Sequence, residues 1–233
     1  MNPIQSALRE FADQKVAAHS QKYLRAEIGG YGFGDFFLGV RMPVVRQVAK
    51  ANKHATKAEV EGLVLSKYHE ERMVGLLILV DQYGASETAE QQENIFQVYV
   101  SYFESINNWD LVDVTCPHII GKHLYSGDRS ILDVWAQSPR LWTRRIAMIS
   151  TFWFIRQGDL TDTFRLATAL KQDPHDLIHK AVGWMLREAG KRDLEQLESF
   201  LKTHYQALPR TMLRYAIEKF PEPRRKAYLK GLV

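Results

Sequence analysis

The chain has 233 residues, of which 45% are hydrophobic and 25% charged, and its formal net charge is +4 at pH 7. These proportions are ordinary for a globular protein with a sizeable core, and they exclude an intrinsically disordered chain. Cys116 is the only cysteine, which excludes an internal disulfide and a cysteine-based structural zinc site. The first residues lack the apolar core of a signal peptide, and the longest apolar run, Val74 to Val80, is too short to cross a bilayer. We therefore expect one cytoplasmic domain over residues 1–233.

A glycine-rich segment stands near the N-terminus, where Gly29 to Phe37 alternates glycine with aromatic or acidic residues. Glycine loses too much backbone entropy for this stretch to form a stable helix, so we expect a small hairpin or an ordered loop. We hypothesise an exposed hairpin. The alternative is an ordered loop whose rings, Tyr31 and Phe33, seal one end of the fold.

Helix signals recur along the rest of the chain. Capping boxes are predicted at Thr56 with Glu59 and at Asp193 with Gln196, and an N-cap followed by proline is predicted at Ser138-Pro139 and at Asp173-Pro174. Between these signals, apolar residues recur at spacings of three and four, as in Met73, Leu76, Leu77 and Val80, and in Ile146, Ile149 and Phe152. The pattern predicts roughly a dozen short amphipathic helices and few strands, which favours stacked helix pairs over a single bundle.

Charge is distributed unevenly. From Asp81 to Asp113 there are seven acidic residues and no lysine or arginine, whereas from Lys180 to Val233 twelve basic residues accompany six acidic ones. The C-terminal part therefore attracts a polyanion more strongly than the middle does. Solvated helix faces are an equally good explanation for either run.

Three segments carry the most specific signal: NNWDLVD at 107–113, LWTRRIA at 141–147 and KAVGWMLRE at 180–188. In the first, Trp109 and Asp113 are four apart, so they share a helix face. The order and rough spacing of the three segments resemble the AlkD family of alkylpurine DNA glycosylases, over nearly the whole chain from about Lys22. The resemblance implies an all-α, right-handed solenoid of antiparallel HEAT-like helical repeats with a concave, basic surface.

The resemblance also implies the site. The residues that surround a lesion nucleotide in the family fall here on Trp109, Asp113, Arg145 and Trp184, which gives a monomeric, cofactor-free enzyme acting on double-stranded DNA with alkylated purines. Further DNA contacts are expected from basic and aromatic residues, namely Tyr23, Tyr31, Phe33, Arg41, Arg46, Lys180, Arg187, Arg210 and Arg214. Gly29–Phe37 looks like an insertion relative to the founding glycosylases, and Arg41 stands where they commonly have glutamine, so contacts to the opposite strand differ.

The chemistry of such a site is simple. Alkylation at N3 or N7 makes a purine cationic, so the base leaves as a neutral molecule and no general acid is required. One ionised carboxylate, Asp113, then suffices where ordinary glycoside hydrolysis uses two. Trp109 and Trp184 offer faces that attract a sugar developing positive charge. Arg145 offers a planar fork for a phosphate and would help keep Asp113 ionised.

Other interpretations stay open. Each of these four residues taken alone would be assigned to packing, as we assign Trp135, Trp142 and Trp153; Arg144 should point away from Arg145 on a helix. His175 and His179 share a helix face, but no third ligand is evident and we expect no metal. No phosphate-binding glycine loop or GxSxG elbow occurs. The rival functions are a relative that binds branched or distorted DNA with little glycosylase activity, and a HEAT-type scaffold for protein partners.

Overall fold

In the computed structural model, which describes residues 2–233, the chain is helical throughout and has no β-strand in that range. The helices are α1 (Pro3–Arg9), α2 (Gln14–Tyr23), α3 (Met42–Ala51), α4 (Lys57–Val64), α5 (His69–Ala85), α6 (Ala89–Ser101), α7 (Trp109–Cys116), α8 (Lys122–Leu124), α9 (Ile131–Ala136), α10 (Leu141–Gln157), α11 (Thr161–Leu170), α12 (Asp176–Arg192), α13 (Leu194–His204), α14 (Arg210–Ala216) and α15 (Glu222–Lys230). Short 3₁₀ turns occupy Phe103–Ser105 and Tyr205–Ala207, and Pro117–Gly121 is π-helical. The predicted all-α class is confirmed.

The chain folds as two compact units, Met1–Ile119 (unit 1) and Ile120–Val233 (unit 2). In unit 1, α5 is the central helix and packs against α3, α4, α6 and α7. The predicted face of Met73, Leu76 and Leu77 is buried, but so is every other residue from His69 to Leu79, because α5 has neighbours on several sides. Helices α3, α5 and α7 line one groove, and α4, α5 and α6 line another. Helices α3, α5 and α7 therefore form a row, and α4 and α6 pack on one side of that row. This is the arrangement expected of stacked helix pairs.

Unit 2 repeats the same arrangement. Helix α12 packs against α10 and α14 along one row, while α9, α11 and α13 pack beside that row. The approach of α12 to α14 depends on Gly183, because a Cβ at this position would lie 2.5 Å from the Met212 carbonyl oxygen and 2.5 Å from the Tyr215 Cβ. The prediction of a single domain over the whole chain stays a prediction.

Two predicted helix starts are wrong. Helix α10 begins at Leu141 rather than after Ser138, and α12 begins at Asp176 rather than after Asp173. The buried Asp173 carboxylate accepts the His175 N–H at 2.9 Å and also pairs with Arg144 at 2.6 Å, but the helix begins only after His175, which is its N-cap. The capping box of Thr56 with Glu59 is confirmed. Asp193 caps α13 by accepting the backbone N–H of Gln196, but the predicted box is incomplete, because the Gln196 side chain bonds to the Asp193 carboxylate.

The glycine-rich segment is not a hairpin. Residues 27–34 form successive turns, and Phe36 makes an isolated parallel bridge to Tyr68. Two backbone hydrogen bonds hold the segment: the Phe36 N–H donates to the Lys67 carbonyl oxygen at 3.2 Å, and the Phe36 carbonyl accepts the His69 N–H at 2.8 Å. Gly32 is buried against the Leu24 carbonyl. The hypothesis of a hairpin is therefore wrong, and the alternative of an ordered loop is correct in form.

Candidate active site

Helix α7 presents the two residues that begin the predicted site. Its N-cap, Asn108, is fully buried; its Oδ1 accepts the Trp109 N–H at 2.9 Å, and its Nδ2 donates to the Leu24 carbonyl at 3.1 Å. Trp109 is the first residue of α7 and Asp113 follows one turn later, and both are half-buried. The Tyr23 ring meets the Trp109 indole edge-on, with 5.7 Å between ring centroids. A carboxylate and two aromatic rings therefore gather at this end of unit 1.

A network of charged side chains around the buried His69 holds the first turn of α7 in place. The His69 imidazole is 3% exposed; its Nε2 lies 2.8 Å from Asp110 Oδ2 and its Nδ1 lies 3.2 Å from Asp35 Oδ2. Burial alone would lower the pKa of His69, but the two carboxylates outweigh it, Asp110 most strongly, and raise that pKa to about 9. The imidazole is thus a cation at neutral pH. It links the glycine-rich loop, α5 and α7.

The second carboxylate of this network has further partners. Asp35 Oδ1 lies 2.7 Å from Arg72 Nη2 and accepts a hydrogen bond from Asn107 Nδ2, also at 2.7 Å. Burial acts to raise the pKa of Asp35, but the hydrogen bond with His69 and the charge of Arg72 hold it below its ordinary value. Asp110 also accepts the Leu111 N–H through Oδ1 at 2.9 Å, so its two oxygens bond the start of α7 and His69. We refer to His69, Asp35, Asp110, Arg72 and Asn107 as the His69 cluster.

The glutamates that follow His69 are also buried. Glu70 accepts the backbone N–H groups of Leu38 and Gly39 at 2.9 and 2.8 Å. Gly39 has φ +81°, and a Cβ there would meet the Asp13 carbonyl oxygen, so the turn requires glycine. Glu71 is fully buried and accepts hydrogen bonds from Gln5 Nε2 and Arg9 Nε. The sequence analysis missed these residues, although four consecutive polar side chains at the start of an otherwise apolar helix were a visible signal.

A basic groove lies in unit 1 near the C-termini of α3, α5 and α7. It has a volume of about 670 Å³ and is lined by α3, α5 and α7. Arg46, Lys50 and Lys53 lie on one side, and Asp81 and His118 lie opposite. Arg46, a predicted DNA contact, therefore has two lysines beside it that the prediction did not include. Arg41 is exposed at the N-cap of α3, where it makes no side-chain capping bond.

Unit 2 holds the other two members of the predicted site. Arg145 is 4% exposed, and its Nη1 donates to the Leu177 carbonyl oxygen at 2.5 Å, which ties α10 to the first turn of α12. Arg144 pairs with Asp173, so the two arginines have different partners, as expected. Trp184 is half-buried; it packs on Phe152 at 5.7 Å between centroids and donates its indole N–H to Glu188 Oε1 at 3.2 Å. A phosphate contact by Arg145 and its proximity to Asp113 stay predictions.

The other residues predicted to contact DNA differ in their exposure and in their partners within the protein. Tyr23 and Phe33 are exposed, at 61% and 64%, and Tyr31 is half-buried. Lys180 pairs with Asp176 at 2.7 Å, and Arg187 pairs with Glu188 and Glu218. Arg210 and Arg214 are exposed on α14 and line a second cavity. Their contacts with DNA stay predictions.

Residues 2–233 contain neither a metal-ligand cluster nor a membrane-spanning helix. No cluster of three histidine, cysteine, aspartate or glutamate side chains has the arrangement of a metal site. His175 instead caps α12 by accepting the Leu177 N–H, and His179 Nε2 contacts the Asp173 carbonyl. In the same range, no helix has both the length and the apolar character needed to span a membrane.

Comparison with known proteins agrees with this geometry. A solved structure described as a predicted DNA alkylation repair enzyme from Enterococcus faecalis shares the fold, with TM-score 0.72 and 16% identity over 91% of this chain and 97% of that one. AlkD2 from Streptococcus mutans matches with TM-score 0.56 and 17% identity over 90% of this chain and 99% of that one. The protein smu.31 from Streptococcus mutans UA159 matches with TM-score 0.53 and 15% identity over 94% of this chain and 98% of that one. No curated protein sequence matches. The family model described as DNA alkylation repair enzyme matches residues 4–220. Since that match spans nearly the whole sequence, the chain belongs to the DNA alkylation repair enzyme family.

Proposed function

We propose that this protein is a monofunctional DNA glycosylase that hydrolyses the N-glycosidic bond of cationic alkylpurines, such as 3-methyladenine and 7-methylguanine, in duplex DNA. The observation that carries the proposal is the pair Trp109 and Asp113, one turn apart on a helix whose first turn is held by buried hydrogen bonds. A rigid support of this kind is what an electrostatic catalyst needs, because the group must not reorganise as charge develops.

The chemistry matches the single carboxylate. A base alkylated at N3 or N7 departs without protonation, so the reaction needs stabilisation of an oxocarbenium-like sugar and a positioned water. Asp113 supplies the negative charge and accepts the proton of the attacking water as the sugar C1′–O bond forms. The ring of Trp109, with Tyr23 against its edge, offers an aromatic face to the sugar, a contact worth roughly 0.5 to 2 kcal/mol. By resemblance, Arg145 holds a phosphate and Trp184 offers a second aromatic face.

The partner follows from charge. Lysine and arginine side chains line one side of the groove of α3, α5 and α7, and backbone phosphates are the polyanion that such a surface attracts. Apolar residues, among them Leu77, Val80 and Val114, also line this groove, so the preference for DNA over a protein partner rests on its three basic side chains. Membership of a DNA alkylation repair family supports the same partner.

The decisive experiment is release of methylated bases from alkylated duplex DNA. The Asp113→Asn variant keeps the shape of the side chain and removes its charge, so base release should fall roughly a hundredfold, as for loss of one preorganised electrostatic group. Glu90→Gln makes the same charge change on the exposed side of α6 and should release bases at the parental rate. Excision of 7-methylguanine by Asp113→Asn at the parental rate would remove Asp113 from the mechanism.

One observation favours a second candidate function, recognition of branched or distorted DNA. The glycine-rich loop holds three large apolar side chains in solvent, with Ile28 92%, Phe33 64% and Phe36 53% exposed. Side chains of this kind can wedge between base steps where the duplex is already bent or open. Replacing Phe33 with Ser should weaken binding to a four-way junction more than binding to a linear duplex. Phe11→Ser, which removes a 51% exposed ring elsewhere, is the matched control.

A further inference from the structure

Unit 2 contains a cavity of about 480 Å³ between α14 and α15, and neither Arg145 nor Trp184 is among its lining residues. Six residues line it: Arg210, Arg214, Tyr215, Glu218, Arg225 and Leu229. Three guanidinium groups thus face one space together with a single carboxylate. Like charges do not gather in this way for stability, so the cavity calls for an anionic occupant.

The one carboxylate does not neutralise the arginines of the cavity. Glu218 is already engaged by Arg187 and by Lys219, whose Nζ lies 3.2 Å away. The hydrogen bond from Lys219 and the charges of both partners hold the pKa of Glu218 below its ordinary value, so it is ionised and committed to them. Even when Glu222, which pairs with Arg225, is counted, three arginines stand against two carboxylates, so the net charge at the cavity is positive.

Two of the three arginines are held in place while keeping donors to offer. Arg210 donates one Nη1 hydrogen to the Leu229 carbonyl oxygen, and Arg225 Nη2 donates to Glu222 at 2.6 Å. The Nε of Arg225 is shielded from solvent and has no hydrogen-bond partner among residues 2–233. The guanidinium therefore loses no bond at Nε when it turns toward a ligand. Arg214 is exposed at the rim.

We propose that this arginine cavity binds a phosphate group of the nucleic-acid backbone, which deepens the proposed function and rests on it. Arginine matches phosphate because its planar fork donates two parallel hydrogen bonds to one oxygen pair. The occupant is a backbone phosphate rather than a nucleotide held by its base. Four of the six lining side chains are charged and Leu229 is the only aliphatic one, so the lining favours a phosphate over a base. A contact of this type positions DNA without reading its sequence.

The test uses the full chain and undamaged duplex DNA, so that it does not depend on catalysis. Arg225→Gln and Arg214→Gln remove charge from the cavity. Arg224→Gln removes the same charge one residue away, where Arg224 pairs with Glu198 and does not line the cavity. Binding is measured across a salt series. Each cavity variant should lower affinity about tenfold at low salt and reduce the log-log slope by about 0.9, while Arg224→Gln should match the parent.

A second arm distinguishes the sources of phosphate. Inorganic phosphate is titrated into ¹⁵N-labelled protein while the arginine Nε signals are followed, with and without duplex. Binding of inorganic phosphate at micromolar concentration that duplex does not displace would overturn a nucleic-acid occupant. If duplex binds but Arg225→Gln behaves as Arg224→Gln does, the cavity proposal fails and the proposed function stands. If the parent binds no duplex at low salt, both fail.

Discussion

Replacing His69 with glutamine should abolish a pH dependence of stability that the parent protein shows between pH 6.5 and 9. In the folded chain, Asp110 and Asp35 outweigh the effect of burial and raise the pKa of His69 from 6.5 to about 9. A folded-state pKa above the unfolded value means that protonation favours folding. The resulting stabilisation is complete below pH 6.5 and is lost as the pH rises through 9.

The size of the effect follows from those two values. At roughly 1.4 kcal/mol per pH unit, the interval from 6.5 to about 9 corresponds to about 3 kcal/mol. The imidazole is 3% exposed, so solvent screens this interaction little. A glutamine can still donate a hydrogen bond to one carboxylate, but it brings no charge and does not titrate. The free-energy difference between parent and variant should therefore shrink by about 3 kcal/mol across this interval.

Urea unfolding followed by circular dichroism at half-unit steps from pH 6 to 9.5 measures this difference directly. Histidines common to both proteins cancel, and His54→Gln, which removes an exposed histidine, is the matched control. Parallel stability curves for the parent and His69→Gln would refute a charged imidazole between the two carboxylates.

Three further outcomes are expected. Gly183→Ala should lower stability by about 1 to 3 kcal/mol, because the added methyl collides with α14 at the Tyr215 Cβ, whereas Gly127→Ala, which meets nothing within 4 Å, should be nearly neutral in thermal melts. Asp35→Asn should lower stability by about 3 kcal/mol and speed hydrogen exchange in residues 27–37, because it removes the carboxylate that joins this loop to α5. Unchanged exchange would show that the backbone bonds alone hold the loop. Lys50→Gln should reduce the salt slope of duplex binding by about 0.9, and an unchanged slope would remove the groove of α3, α5 and α7 from the DNA surface.

Many of the helices could be predicted from the sequence because they follow from local rules, as the Thr56 box predicts the start of α4. The spacing of Met73, Leu76 and Leu77 indicates only part of what α5 buries, since every residue from His69 to Leu79 is buried by its neighbours. The predicted helix starts failed at Ser138 and Asp173, although each side chain accepts the backbone N–H of the second residue after it. The Asp173 carboxylate also pairs with Arg144, 29 residues earlier, and no local pattern encodes that pairing.

The four polar residues at 69–72 were visible in the sequence, but their burial and their partners could not be predicted, for a similar reason. A histidine, two glutamates and an arginine in succession are typical of a solvated helix end, and their burial depends on partners far away in sequence, such as Asp35 and Asn107. Trp109 and Asp113 could be proposed from the sequence because their spacing and motif are local, and their role stays a prediction. Asp35 joins the glycine-rich loop to His69 and Arg72, so this contact exists only when α5 is in place.

The burial of Glu71 has a consequence for the order in which unit 1 can assemble. Its carboxylate is fully buried and its hydrogen-bond donors include Gln5 and Arg9, so helix α1 supplies partners that the interior of the unit cannot do without. Until α1 docks, the start of α5 must either remain hydrated or hold an uncompensated charge. Docking of the N-terminal helix is therefore a condition for closing the core, and α1 and α5 should gain protection from hydrogen exchange in the same cooperative step.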